Sequence, residues 1–359
     1  MTVWPALFIA ASFSLLALPL VPALVEWRRK RDAAPLRVVR AYDVNPAHFA
    51  HGFRAFVERQ FRGRLDAARA GEAVEGLLED GTAFLLLGAG RAFALSADEE
   101  RSQTVRRLLV TRADLQLPGC CLFEADTYSG GSIHGQGGSA FRALFAEGDL
   151  LLGDGCAVLR WAHAGGRLRA GEDLEARGRM TAGRVILLGP GSTFGRLHAP
   201  LVVFGEREEA PAEAPAGAAP QAACAALAAL PSSGGRHLVK GDLELPARTR
   251  HRGDLVTSGE LRFGPGCEVA GSLKSNAALH LGAGARVEGA VVAVGALFIG
   301  EGCYVRGPVV SESVVHLGGA SVVGLSAHPT SISAPRVVAG PEARVHGTVW
   351  AREEGRVAR

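Results

Sequence analysis

The chain is poor in aromatic residues. They make up 6% of its 359 residues, with four tryptophans and three tyrosines. Exposed aromatic rows of the kind a carbohydrate-binding surface needs are therefore not expected. A charge of one sign is lacking too: 39 Lys and Arg face 36 Asp and Glu, for a net +3. That balance gives no case for nucleic acid as a partner. The sequence contains no G-x-S-x-G, no H-E-x-x-H, no phosphate-binding loop and no convincing pair of carboxylates. Gly88-Ala89-Gly90 lacks the third glycine of a dinucleotide loop, because position 93 is Phe93, and reads as a hairpin turn. Arg252-Gly253-Asp254 is an integrin-like tripeptide in spelling only. No catalytic, cofactor-binding or metal-binding residue is assigned.

What the chain has instead is a period. Leu243, Leu261, Leu279 and Leu297 open four segments of 18 residues. Two positions on stand Leu245, Phe263, Leu281 and Ile299. The fourth column holds Pro246, Gly264, Gly282 and Gly300, and the eleventh Gly253, Gly271, Gly289 and Gly307. Leu115, Ile133, Leu150, Leu168 and Ile186 open similar turns upstream, and Val315 and Val337 open two more downstream. Short units with apolar residues at fixed columns mark a solenoid, in which only the stack has a core. Alternation within a turn puts Leu281, Val287 and Val291 inward, with glycine at bends where φ may be positive. The expected fold is mainly β: a β-solenoid (β-helix) of triangular section, about eleven turns and ~50 Å long at the spacing of stacked strands.

The other segments follow from composition. Trp4 to Val25 is an uncharged apolar run long enough for a transmembrane helix, with the basic flank Trp27, Arg28, Arg29, Lys30 and Arg31 after it. A cleavable signal would carry its basic residues first. The positive-inside rule then gives a single-pass inner-membrane protein with the bulk of the chain cytoplasmic. Residues 1–31 are the expected anchor and flank, and 32–114 a small α+β cap. Within the cap, Asn45-Pro46 starts a helix carrying Phe49, Phe53, Phe56 and Phe61, which buries its stripe in its own domain. Phe84–Leu87 and Arg91–Leu95 read as two strands. Residues 115–204 form the first solenoid block, 205–236 an Ala/Pro-rich linker, 237–350 the second block, and 351–359 a charged tail.

The thiols and imidazoles have plain readings. Cys121, Cys156, Cys267 and Cys303 share the seventh column with Ser192, Thr249 and Ala285, so that column demands a small side chain. Cys267 and Cys303 are two turns apart, about 10 Å, too far for a disulfide or a shared zinc. His280 and His316 face outward, two turns apart. His48 and His51 sit at i and i+3 with no further ligand nearby. His198 and His251 stand in columns that are usually apolar.

Leu281-Gly282-Ala283-Gly284-Ala285-Arg286-Val287-Glu288-Gly289 and Ile299-Gly300-Glu301-Gly302-Cys303-Tyr304-Val305-Arg306-Gly307 resemble the turns of bactofilins, the bacterial polymer-forming cytoskeletal proteins. Phe263–Gly271 fits the same pattern. The resemblance implies a right-handed β-helix that self-associates end to end without nucleotide. It also implies a membrane scaffold for envelope or shape machinery. A solenoid's last turn exposes strand edges, and only a short tail follows Trp350. Self-association through Val337, Val345, Val349 and Trp350 is therefore expected, giving a homo-oligomer or filament. The competing expectation is a left-handed β-helix acyltransferase of the hexapeptide class, whose six-residue unit also divides 18 and whose best loop histidine would be His328.

Overall fold

The computed structural model describes residues 46–67, 71–205, 232–233 and 235–359, with some residues between 3 and 21. The chain divides into two units, Met1–Asn45 and Pro46–Arg359. In the first, Trp4, Leu7, Phe8 and Ala11 are helical and Leu18–Leu20 form a 3-10 turn. Among the described residues no helix is long and apolar enough to cross a membrane. The expected anchor is described only in part. Its flank Trp27–Arg31, the residue Asn45 and the linker residues 206–231 lie outside the described residues.

The second unit is a β-solenoid of about twelve turns with about 18 residues per turn. Strands one turn apart pair in parallel, and the pairs reproduce the sequence columns. Leu243, Leu261, Leu279, Leu297, Val315 and Val337 stand in one ladder. Leu115, Ile133, Leu150, Leu168 and Ile186 stand in another. In a representative turn Leu279, Leu281, Ala285, Val287, Val291 and Ala293 are all buried, at 3% exposure or less. Six aliphatic side chains fill each such section. Burying large aliphatics is worth about 1.5–3 kcal/mol apiece, but each turn presents bare apolar surface above and below until its neighbours are in place.

In the fourth and eleventh columns most glycines serve stacking, while Gly253 and Gly347 also stand at positive φ, 100° and 123°. A Cβ on Gly307 would lie 2.5 Å from the Gly289 carbonyl oxygen, and one on Gly282 would lie 2.6 Å from the carbonyl carbon of Gly264. The left-handed position is the sixth column. It is glycine at Gly266, Gly284 and Gly302, yet Arg248, Ala320 and Glu342 adopt it as well, with φ between 52° and 60°. The sequence expectation that bend glycines relieve φ holds at Gly253, Gly284 and Gly302, whereas Gly282, Gly289, Gly300 and Gly307 are bare so that successive corners can touch.

Aspartates tie one turn to the next. Asp114, Asp149, Asp154, Asp242 and Asp254 each accept a backbone N–H from the residue 18 positions on, at 2.7 to 2.9 Å. The Arg167 N–H on Asp149 holds that carboxyl below its ordinary range.

The amino-terminal part differs from the expected cap. Ala73–Leu77 and Ala83–Leu87 form an antiparallel hairpin, and the second strand continues in parallel through Leu108–Thr111 into Leu122–Ser129. The hairpin therefore belongs to the solenoid sheet. Gly88-Ala89-Gly90 is a turn, but Arg91–Leu95 is not a strand; Phe93 and Leu95 pack against the core instead. Helix α1 (His48–Ala67) lies on the outer face of block one, and the short helix α2 (Ala97–Ser102) has a capping box made by Ser96 and Glu99. Arg107 ties hairpin to α2 through Glu75 at 2.5 Å and Glu99 at 2.7 Å.

The expected charged tail is also corrected. Residues Arg344–Val357 are one strand, with Ala351, Gly355 and Val357 buried and Arg352, Glu353, Glu354 and Arg356 outside. Burial on alternate residues from Arg344 to Ala351 marks a half-buried strand, and a register shift carries it past the consecutive Arg352, Glu353 and Glu354.

Gly307→Ala should destabilise the chain by about 3 kcal/mol, the upper end of overpacking costs, because only backbone atoms surround the new methyl. Gly302→Ala meets nothing within 4 Å and should cost only the left-handed penalty of about 1–2 kcal/mol. Denaturant melts of the two variants check the order.

Candidate functional site

The most distinctive site is a seam where the carboxyl-terminal ends of the two blocks meet. Thr193–Phe204 ends block one and Arg344–Val357 ends block two, and the two strands pair antiparallel. Leu197 stands opposite Val349, His198 opposite Thr348, and Val202 opposite Val345. The rods thus run toward each other and share one sheet across the seam. On the outer face Tyr128, Phe145, His163, Thr181 and His198 continue into Thr348 and Ser331.

Side chains on both strands fit the seam. Phe194 stacks on Phe204 at 5.4 Å, and a Cβ on Gly355 would strike the Phe194 ring at 2.5 Å or less. Arg196 lies over the Trp350 ring at 5.0 Å, and His198 Nδ1 is 2.9 Å from Thr348 Oγ1. Glu342 N–H donates to the Phe204 carbonyl and Val357 N–H to the Ser192 carbonyl, at 2.7 and 2.8 Å. Arg359 pairs with Asp173 at 2.6 Å.

Val345, Val349 and Trp350 are therefore engaged within the chain. Val337, Val345 and Val349 are fully buried, and Trp350 is 43% exposed. The edge expected to bind another copy is covered by block one. The 18-residue period carries no information about what meets the last turn.

Helix α1 covers the block-one face beside this seam. Phe49 packs on Trp161 at 5.1 Å, Phe53 reaches Trp161, Phe145 and Tyr128, and Phe61 meets Phe84 at 5.0 Å. The helix runs against the direction in which the turns advance, and its phenylalanine stripe is covered mostly by block one and not by its own domain as expected, with Phe61 buried and Phe49, Phe53 and Phe56 half-buried. A cleft of about 410 Å³ at its side is lined by Arg54, Glu58, Arg62, Arg112, Tyr128 and Glu147. Arg54 and the Tyr128 hydroxyl both meet Glu147 at 2.9 Å. Burial, and then that hydrogen bond, push the phenol well above its ordinary value.

The predicted packing roles of the seventh column acquire a chemical detail. Cys156, Cys267 and Cys303 donate their thiols to corner carbonyls at 3.1 to 3.3 Å, and Ser139, Thr249 and Ser321 donate hydroxyls in the same way. The column takes a small side chain, donor or not, since Ala285 and Ala343 are buried there as well. Burial raises the Cys303 thiol to about 11. No three of His, Cys, Asp and Glu could hold a metal ion among the described residues.

The outward histidines form a stack that composition concealed. Phe298 lies between His280 and His316, with centroids at 4.5 and 4.8 Å and planes within 12°. The rings cover each other's faces and offer edges to the adjoining groove, so no flat platform for a sugar ring results. His328 is exposed in a bridged turn with Leu325, and none of the described clefts includes it. His48 is exposed, whereas His51 lies edge-on to His163 at 6.5 Å.

No family model matches the chain, and no curated protein or solved structure matches it significantly.

His163 supplies a pH test of the covered face. Burial first, then the charges of His51 and Arg54, lower its pKa to about 4. The unfolded imidazole takes up its proton near 6.5, so stability is complete above that pH and falls between 6.5 and 4. Relative to His163→Phe, the wild-type chain should lose about 2 kcal/mol between pH 7 and 4.5, read from denaturant melts. An unchanged difference would show that the imidazole is solvated.

Proposed function

We propose that this protein is a non-catalytic, bactofilin-like scaffold that is held at a membrane by Trp4–Val25 and positions envelope or shape machinery. The observation that carries this reading is the aliphatic filling of both blocks. Side chains occupy each section from wall to wall, so the interior offers no reaction chamber. The clefts that do exist, of about 350 to 510 Å³, are open and lie on the outer faces. A stiff rod with its two blocks locked end to end suits a spacer or platform better than an enzyme.

Self-association belongs to this reading, at a different end from the one expected. With the carboxyl-terminal edges paired to each other, end-on contact runs through the first turn of block two, Arg236–Arg252. There Leu243–Leu245 and Arg250–Arg252 each have a partner strand on one side only among the described residues, and Leu238 is 54% exposed. An unpaired solenoid edge is a template for a further strand.

The hexapeptide acyltransferase remains the rival because a three-sided turn of 18 residues suits both. Analytical ultracentrifugation of the full chain in detergent, with acetyl-coenzyme A binding measured on the same sample, separates them. The scaffold reading predicts concentration-dependent association that Leu243→Lys abolishes, and no nucleotide binding. A strict monomer that binds acetyl-coenzyme A would overturn it.

A further inference from the structure

The first turn of block two breaks the pattern of the turns that follow it. His237 heads an inward column that continues as Leu255, Leu273, Val291 and Val309. His251 heads another, continued by Val269, Val287, Val305 and Val323. The two rings lie 4.9 Å apart and edge to face. His251 is only 5% exposed. His237 Nδ1 and His251 Nε2 are buried, and neither has a hydrogen-bond partner among the described residues. Both imidazoles occupy places that the next four turns give to leucine or valine.

A neutral imidazole can be tolerated there as a flat, weakly polar ring. An imidazolium cannot, because a buried charge requires a partner. The charged groups nearby are already engaged or face outward. Asp254, on the strand above His237, is 3.9 Å from Arg236, and its other oxygen accepts the Ser272 N–H. Glu268, above Arg250, pairs with that arginine at 2.7 Å. Lys240, Asp242, Glu244, Arg248 and Arg252 lie on the turn itself and are exposed. The Gly253 backbone and then Asp254 act to favour a charged His251, and they are outweighed: burial first, then His237, lower the affinity of His251 for a proton.

We propose that this turn is a proton-released end of the rod. At neutral pH the two rings pack as apolar side chains and hold Arg236–Arg252 on the stack. On acidification the turn peels away and bares the next edge, Asp254–Ala270, to another strand. Among the described residues the turn is terminal, flanked by Ser232–Ser233 and by one neighbouring turn, so only that turn must be left behind. The sign follows from linkage. The released His251 takes up a proton near the ordinary imidazole value of about 6.5, whereas the packed His251 resists it. Opening is therefore suppressed above that pH and grows by up to about tenfold per pH unit below it through the protonation of His251.

Hydrogen exchange on the full chain in detergent, at a concentration where it is monomeric, tests this without reference to association. Exchange is compared at pH 7.5 and 5.5 after correction for intrinsic rates. Peptides from Arg236–Arg252 should lose about tenfold or more in protection at pH 5.5, while peptides from Leu279–Ser311 should not change. His237→Leu/His251→Val, which restores the residues of the following turns, should keep the first turn protected at both values. His251→Val alone should lose the dependence as well. Equal protection at the two pH values in the wild-type chain would overturn the proposal, as would an undiminished dependence in the double variant.

Discussion

Backbone contact between corners one turn apart is the constraint from which the rest of the structure follows. At Gly282 and Gly307 the preceding turn comes so close that a single methyl would strike its backbone. That approach sets the spacing of the stack, and the spacing sets everything inside it. Inward columns must be aliphatic and of nearly constant size, the seventh column must be small, and aspartates at fixed places can reach the N–H 18 residues on. A chain under this constraint gains a long, rigid, filled rod and gives up any interior cavity.

The same constraint creates two kinds of end, and the molecule treats them differently. At the carboxyl-terminal ends the blocks are mutually complementary: Gly355 leaves room for Phe194, and Trp350 receives Arg196. A contact that would ordinarily join two molecules is thereby made within one. At the start of block one the hairpin, α2 and Phe93 cover the stack. Among the described residues the start of block two has the least cover, and it carries the two imidazoles. Stability is thus graded along the rod, with the weakest turn where the second block begins.

Much of this was legible in the sequence because the signal is translational. Leucines and valines at 18-residue intervals fixed both the ladders and the inward face, and the observed register agrees column by column. The phenylalanine stripe of α1 was legible for the same reason, since its spacing is helical. Three features were not. The glycine columns read as bends because sequence shows a missing side chain but not what stands in its place. Arg352, Glu353, Glu354 and Arg356 masked the alternation of Ala351, Gly355 and Val357, so a paired strand read as a tail. The seam was silent altogether: a repeat defines neighbours along the stack and says nothing about what the last repeat meets. His198 read as interrupting an apolar column, whereas a register shift places it beside Thr181 and His163 on the outer face, opposite Thr348.

The central claim is that the two blocks meet tail to tail within one chain. Replacing His198 and Thr348 by cysteine tests it most directly, because these residues stand opposite each other and their side chains are in contact. Opposed residues of an antiparallel pair lie about 4.5–5.5 Å apart at Cα, within reach of a disulfide. Mild oxidation should give an intrachain 198–348 bridge, seen in peptide maps of monomeric protein and formed at a rate independent of concentration. Bridges only between chains, or none, would contradict the account.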